Sequence, residues 1–189
     1  MPKSPAIRFK APASTMTAMA FSFVLRRRSK LSAKMKTMRR LVLPSTTVRP
    51  PQKALSKIVT PADAIIAPAV FGYYSTGVPE YNPEKAKELL SEAGYPDGFS
   101  TTLWVNDNQS RIEMCQAIQA MLLDIGVQCS VEVLEFGSYI SRTTAGEHDM
   151  AYFGWTTSSG DADYTYYSLE HSTQQGAAGN RSFIADPDL

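Results

Sequence analysis

From about residue 81 the apolar positions follow two alternating rhythms. Tyr81-Asn82-Pro83-Glu84 has the chemistry of a helix start, with Asn82 able to cap, Pro83 suited to the first turn and Glu84 facing the positive end of the dipole. Ala86, Leu89, Leu90 and Ala93 then recur at helical spacing, and Gly94 is placed to end the helix in a left-handed conformation. Tyr95-Pro96-Asp97-Gly98 reads as a turn. Residues 99–105 predict a strand with Phe99, Thr101, Leu103 and Val105 on one face, broken by Asn106-Asp107-Asn108. Ile112, Cys115, Ile118, Met121, Leu122 and Ile125 give a second helix that Gly126 closes. Val127, Cys129, Val131 and Val133 alternate as a strand does. A shorter helix is expected over 137–144, and a strand from about Met150 to Trp155.

Strands separated by helices predict right-handed crossovers and a largely parallel sheet with helices packed on it, an α/β fold. Ligands of such sheets bind beyond the carboxyl ends of the strands. That rule points to Val105–Asn108, Leu134–Tyr139 and Trp155–Tyr164. The third stretch is the richest in hydroxyls, carboxylates and aromatics. Its Trp155 can be a flat apolar wall or a core side chain, and composition leaves both readings open.

Charge divides the chain. Residues 1–57 carry 14 of the 19 Lys/Arg and none of the 18 Asp/Glu, so the net charge of +1 conceals a basic and an acidic part. All 11 Gly lie at or beyond Gly72. Two segments are therefore expected: 1–57, basic, acid-free and not natively folded, and 58–189, a folded unit. The apolar run Met16–Leu25 is followed by Arg26, Arg27, Arg28 and Lys30 and by no small-residue cleavage site, so no recognisable signal peptide is read there. A basic arm for nucleic acid or anionic membrane and an organelle transit peptide are the other readings of 1–57.

Other chemistry is sparse. Two cysteines are too few for a disulfide scaffold or a four-thiolate zinc site. Cys115 and Cys129 lie on the apolar faces of consecutive elements, where buried thiols are the expected reading and a bridge the alternative. His148 and His171 lack metal-ligand spacing, and His148, in the polar turn Gly146–Asp149, is expected at the surface. Asp161 and Asp163 have no nucleophile or base beside them, and Asp161 is expected to organise its loop. GxSxG, Walker A and GxGxxG motifs are absent, so no catalytic residue, metal or cofactor is expected.

Residues from about 60 to 189 resemble the extracytoplasmic solute-binding proteins of peptide ABC transporters, the dipeptide/oligopeptide/nickel class. The resemblance is carried by an ordered series: Thr60-Pro61-Ala62-Asp63, Ile66-Ala67-Pro68, Tyr81 to Leu90 with Ala93-Gly94-Tyr95, Thr102-Leu103-Trp104, Ala117-Ile118-Gln119, Ile125-Gly126-Val127, Gly146 to Met150 and Gly154-Trp155. Gly154 to Tyr164 and Gly176-Ala177-Ala178-Gly179-Asn180-Arg181 are similar to the glutathione-type members. The resemblance implies part of the C-terminal lobe of a two-lobed periplasmic-binding-protein fold. Such a protein is extracytoplasmic, closes on a small peptide by hinge motion and delivers it to a membrane permease as a monomer, without catalysis or nucleic acid. It also implies ligand contacts from Trp155 as a wall, Thr156, Thr157 and Ser158 as polar partners, Asp161 and Asp163 as loop organisers, and Tyr164 at one side. In dipeptide and oligopeptide binders an Asp three residues after this Trp holds the peptide amino terminus. Here that position is Ser158. A charge-assisted hydrogen bond contributes about 1.5–3 kcal/mol, roughly ten- to a hundredfold in affinity, so a glutathione-like or otherwise modified peptide is expected over a free α-amine.

The family carries a helix with an Ala-Ile-Asn-Tyr pattern just before Thr60-Pro61. This chain has Pro44-Ser45-Thr46-Thr47. Read one base earlier, the codons CCN-TCN-ACN-ACN permit Ala-Ile-Asn-Tyr. The same shift introduces Glu into Lys34–Met38. A frameshifted translation ending near Ser56–Thr60 is therefore expected for the basic segment.

Overall fold

The computed structural model describes residues 22–23, 64–75, 81–176, 179–183 and 185. Apart from Ser22 and Phe23, the basic segment 1–57 and the reading placed on it lie outside the described residues. The elements in order are β1 (Ser22–Phe23), α1 (Pro83–Glu92), β2 (Ser100–Asn106), α2 (Gln109–Asp124), β3 (Gln128–Leu134), α3 (Phe136–Thr144), β4 (Met150–Phe153), α4 (Ala162–Glu170) and a 3-10 turn at Ser172–Gln174.

The sheet runs β1-β4-β2-β3. β2 pairs in parallel with β3 along its whole length, from Ser100 opposite Gln128 to Asn106 opposite Leu134. β4 joins the other side of β2 in parallel, with Leu103 opposite Met150 and Trp104 opposite Ala151. Ser22–Phe23 lies antiparallel along β4. The α/β architecture with a largely parallel sheet is as expected.

Local chemistry explains the boundaries. Asn82 Oδ1 accepts from the Lys85 amide at 2.9 Å and starts α1. Asn108, read in the sequence as a strand breaker, also caps α2 through the Arg111 amide at 3.2 Å. Gly94 and Gly126 both take positive φ after their helices, at 86° and 88°. Gly98 has a stricter role: a Cβ on it would stand 1.8 Å from the Gly126 carbonyl oxygen, so the turn before β2 and the turn before β3 touch through backbone.

Alternation along β2 splits the core in two. Leu103 and Val105 meet Leu90 of α1, Cys115, Ile118 and Leu122 of α2, Val127, Cys129, and Met150 and Tyr152 of β4. Trp104 faces the other way, toward Tyr139 of α3 and Ala151. Thus α1 and α2 cover one face and α3 the other. Cys115 and Cys129 are free and buried; burial pushes their thiols up to about 12 and about 11.

Four features depart from the sequence reading. β4 stops at Phe153 instead of Trp155, because the chain then turns so that Trp155 can reach α4. Helix α4 was not expected: Thr165 alone is buried on it, while Tyr164, Tyr166 and Tyr167 stay exposed, so no apolar stripe announces it. Val133, next to the last residue of the edge strand β3, is 49% exposed instead of lying on a covered face. His148 is 1% exposed and not at the surface. Its ring lies 6.0 Å from that of the buried Trp104, so the path of the 145–149 loop decided its burial and the polar neighbours did not.

Candidate functional site

Of the three strand-end stretches, the structure turns one into helix and brings the other two together. Leu134–Tyr139 becomes the start of α3. Glu135 accepts from the Gly137 amide at 2.8 Å and the Ser138 amide at 2.9 Å, and these bonds hold its carboxyl below the usual range. Tyr139 is fully buried, and its hydroxyl donates to the Tyr152 carbonyl at 2.5 Å. The carboxyl ends of β2 and β4 adjoin, because these strands are neighbours in the sheet. Val105–Asn108 and the stretch from Gly154 therefore share one end of the fold.

The Trp155–Tyr164 stretch is built around Thr165, a residue the sequence reading did not single out. Thr165 is fully buried. Its Oγ1 accepts from Trp155 Nε1 at 3.2 Å and pairs with Thr157 Oγ1 at 2.6 Å. The ring of Trp155 stacks on that of Tyr164, with centroids 5.6 Å apart and planes 27° from parallel. Trp155 and Thr157 are half-buried, whereas Thr156, Ser158 and Tyr164 are exposed. Trp155 is thus neither a core residue nor free, but one side of a two-ring wall pinned by its nitrogen. Thr157 serves that pinning and is less available to a ligand than its neighbours. The signal in sequence was a Thr one turn into a segment whose first residue is a capping Asp, visible only once α4 is known.

Asp161 is the N-cap of α4. Its Oδ1 accepts from the Asp163 amide at 2.9 Å, and its own amide donates to Ser159 Oγ at 3.2 Å. Asp163 is exposed in the first turn, where its charge suits the helix dipole. The loop is also braced from outside. The Phe71 amide donates to the Gly160 carbonyl at 2.9 Å, and the Ala162 amide donates to the Phe71 carbonyl at 2.9 Å. Phe71 itself is 79% exposed beside this loop.

At the β2 end, Asn106 Oδ1 accepts from an Arg111 terminal nitrogen at 2.8 Å. The guanidinium carbon of Arg181 lies 4.9 Å from the centroid of the Phe153 ring. Burial lowers the Arg181 pKa. Sequence reading quoted Arg181 only within a motif and did not consider Arg111. Among the described residues no cluster of three or more His, Cys, Asp or Glu side chains could hold a metal, and no helix is long and apolar enough to cross a membrane.

The described residues thus form a largely parallel sheet with helices on both faces and a hydroxyl-bearing aromatic wall at its carboxyl end. Residues 51–177 match the family described as bacterial extracellular solute-binding proteins, family 5 middle, and the chain belongs to that family. Its sequence is 38% identical over 122 residues to the glutathione-binding protein GsiB of Salmonella typhimurium and 36% identical to GsiB of Escherichia coli K12, in each case over 61% of this chain and 24% of the relative. The chain thus spans about a quarter of the length of these relatives. Among solved structures, HbpA2 from Haemophilus parasuis superposes with a TM-score of 0.56 at 35% identity over 60% of this chain and 24% of that one. The dipeptide-binding protein of Pseudoalteromonas sp. SM9913, in complex with Met-Leu, superposes with a TM-score of 0.72 over 89% of this chain and 34% of that one; at 22% identity it supports the fold alone. The chain resembles the peptide-type solute-binding proteins of ABC transporters, and GsiB in particular.

Proposed function

We propose that this chain forms part of the binding cleft of an ABC-transporter solute-binding protein for small modified peptides of the glutathione type, which binds without catalysis. Trp155 and Tyr164 provide the apolar wall. Thr156 and Ser158 offer hydroxyls to the ligand. Thr157, Asp161 and Asp163 hold the loop that presents them. The ligand is enclosed when a second lobe closes on this one by hinge motion, and the loaded protein delivers it to a membrane permease outside the cytoplasm. Residues 1–57 we read as a frameshifted, non-native segment.

The observation that carries the reading is the stacked Trp155–Tyr164 pair at the end of β4, with Ser158 exposed beside it where an amine-binding carboxylate would stand. The kinship with GsiB supports the same ligand class. The alternative, a basic arm for nucleic acid or anionic membrane, gains no support from these comparisons. The test is calorimetric titration of a full-length, two-lobed protein carrying residues 58–189 with glutathione and with the unmodified dipeptide Met-Leu, since this chain alone, with one part of the cleft, is expected to bind weakly or not at all. Binding of glutathione, weakened at least tenfold in Trp155→Ala, is expected. Binding of the dipeptide with no response to glutathione refutes the reading.

A further inference from the structure

Strand β4 passes its pairing from one neighbour to another. Its first two residues, Met150 and Ala151, sit opposite Leu103 and Trp104 of β2. Its last two, Tyr152 and Phe153, sit opposite Phe23 and Ser22 of β1, which runs antiparallel to it. Strand β2 meanwhile stays paired with β3 to its end, where Asn106 lies opposite Leu134. The carboxyl end of β4, which leads through Gly154 into the Trp155 wall, therefore has its ladder on the β1 side.

This strand is buried: Met150 and Ala151 fully, Tyr152 nearly so. Side chains of three other elements press on its end. The Tyr139 hydroxyl donates to the Tyr152 carbonyl at 2.5 Å, and the Tyr139 ring lies 5.0 Å from that of Phe153. The Arg181 guanidinium lies over the Phe153 ring, and an Arg111 terminal nitrogen lies 3.3 Å from the point a Cβ on Gly154 would occupy. A buried backbone also needs partners for its own N–H and C=O groups, and β1 offers them a ladder.

The donor segment suits an edge. Ser22 and Phe23 belong to Met16–Leu25, a run without proline or charge that ends at Arg26-Arg27-Arg28. Strand addition is made by main-chain hydrogen bonds, so an open edge takes any extended backbone that reaches it. The pairing is therefore compatible with a frameshifted origin of residues 1–57.

We propose that the outer edge of β4 is a strand-addition site, filled in this chain by the backbone of Ser22–Phe23, and that this pairing positions the Trp155 wall. The part the wall plays in binding rests on the peptide-binding reading above; the pairing does not. Trp155 follows Phe153 by two residues, and Thr165 Oγ1 holds its ring at 3.2 Å from the other side. The wall is thus suspended between α4 and the end of β4, and Ser22–Phe23 is a positioning segment that touches no ligand.

Two measurements on the full chain test this. The first is amide hydrogen exchange of the unmodified chain by NMR. In an antiparallel ladder, residue pairs that exchange both hydrogen bonds alternate with pairs that exchange none. Either the Ser22 and Phe153 amides or the Phe23 and Tyr152 amides should therefore exchange slowly together, at least tenfold slower than in an unprotected chain. Unprotected exchange at both Ser22 and Phe23 overturns the proposal. The second compares Ser22→Pro/Phe23→Pro, which removes both N–H groups, with Ser22→Ala/Phe23→Ala, which keeps them. The proline chain should show exchange at Tyr152–Phe153 at least tenfold faster and a displaced Trp155 Nε1–H resonance, assigned by Trp155→Phe. The Nε1–H resonance of the buried Trp104 should hold, as it does in an intact core. The alanine chain should match the unmodified one. A Trp155 resonance unmoved in the proline chain overturns the positioning role, and equal effects of alanine and proline overturn backbone pairing as its cause. None of these readouts uses a ligand, so a failure here leaves the peptide-binding reading standing, and a failure to bind glutathione leaves the strand addition standing.

Discussion

Replacing Thr165 with Val is the most direct test of how the aromatic wall is held. The two side chains have nearly the same shape, so the substitution removes one hydroxyl and leaves no cavity. That hydroxyl is fully buried and serves both Trp155 Nε1 at 3.2 Å and Thr157 Oγ1 at 2.6 Å. A buried polar group left without a partner costs about 1–3 kcal/mol. Here two groups lose their partner, but Trp155 and Thr157 are only half-buried, and water can replace part of what is lost. The expected loss is therefore about 1–2 kcal/mol in all. Urea unfolding followed by far-ultraviolet circular dichroism should show a lower midpoint at an unchanged slope. The Trp155 contribution to fluorescence should shift to the red as the ring loosens, while the buried Trp104 remains as it was. Thr165→Ser separates hydroxyl from methyl. It keeps both hydrogen bonds and should lose only about 1 kcal/mol for the missing methyl, with no red shift. If Thr165→Val matches the wild type in midpoint and emission, the hydroxyl does not hold the wall and the account of the site is wrong.

Gly98→Ala should be far more damaging, because its Cβ would meet the Gly126 carbonyl oxygen at 1.8 Å and φ is already 75°. A loss of about 4 kcal/mol or more, or insoluble expression, is expected, whereas Gly94→Ala, with open space around it, should cost only about 1 kcal/mol. Asp161→Ala removes the cap of α4 and should cost about 1 kcal/mol in thermal unfolding, with Asp161→Asn recovering most of it. Burial raises the Cys115 thiol from 9.0 to about 12, so the folded state favours the protonated form. Its contribution to stability is complete below pH 9 and is lost as pH rises toward 12; denaturation midpoints should fall across that window, and less so in Cys115→Ala. Iodoacetamide should label Cys115 and Cys129 only after unfolding, and rapid labelling of the native chain contradicts their burial.

Much of this fold is written in local chemistry. The cap at Asn82, the glycines at 94 and 126, and the alternation through β2 and β3 are short-range signals, and they set these elements and their order. The family motifs are legible for the same reason, since they coincide with these caps and turns. Legibility failed where burial depends on a distant element. His148 sits among polar residues yet is buried, because its loop lies beside Trp104. Helix α4 carries no apolar stripe and is defined by one buried Thr and a cap. The strand-end rule named three stretches from sequence, but only the order β4-β2-β3 brought two of them to one place and left the third to begin a helix. Arg111 and Arg181 are 70 positions apart, on a helix and in a loop, and no periodicity links them. That one lies beside Gly154 and the other over Phe153 follows from parallel pairing between non-consecutive strands and from a glycine at 179 that lets the last segment lie on α4. Periodicity reports the environment of a residue relative to its own helix or strand. Which elements share an edge, and so which side chains meet at a site, follows from long-range packing.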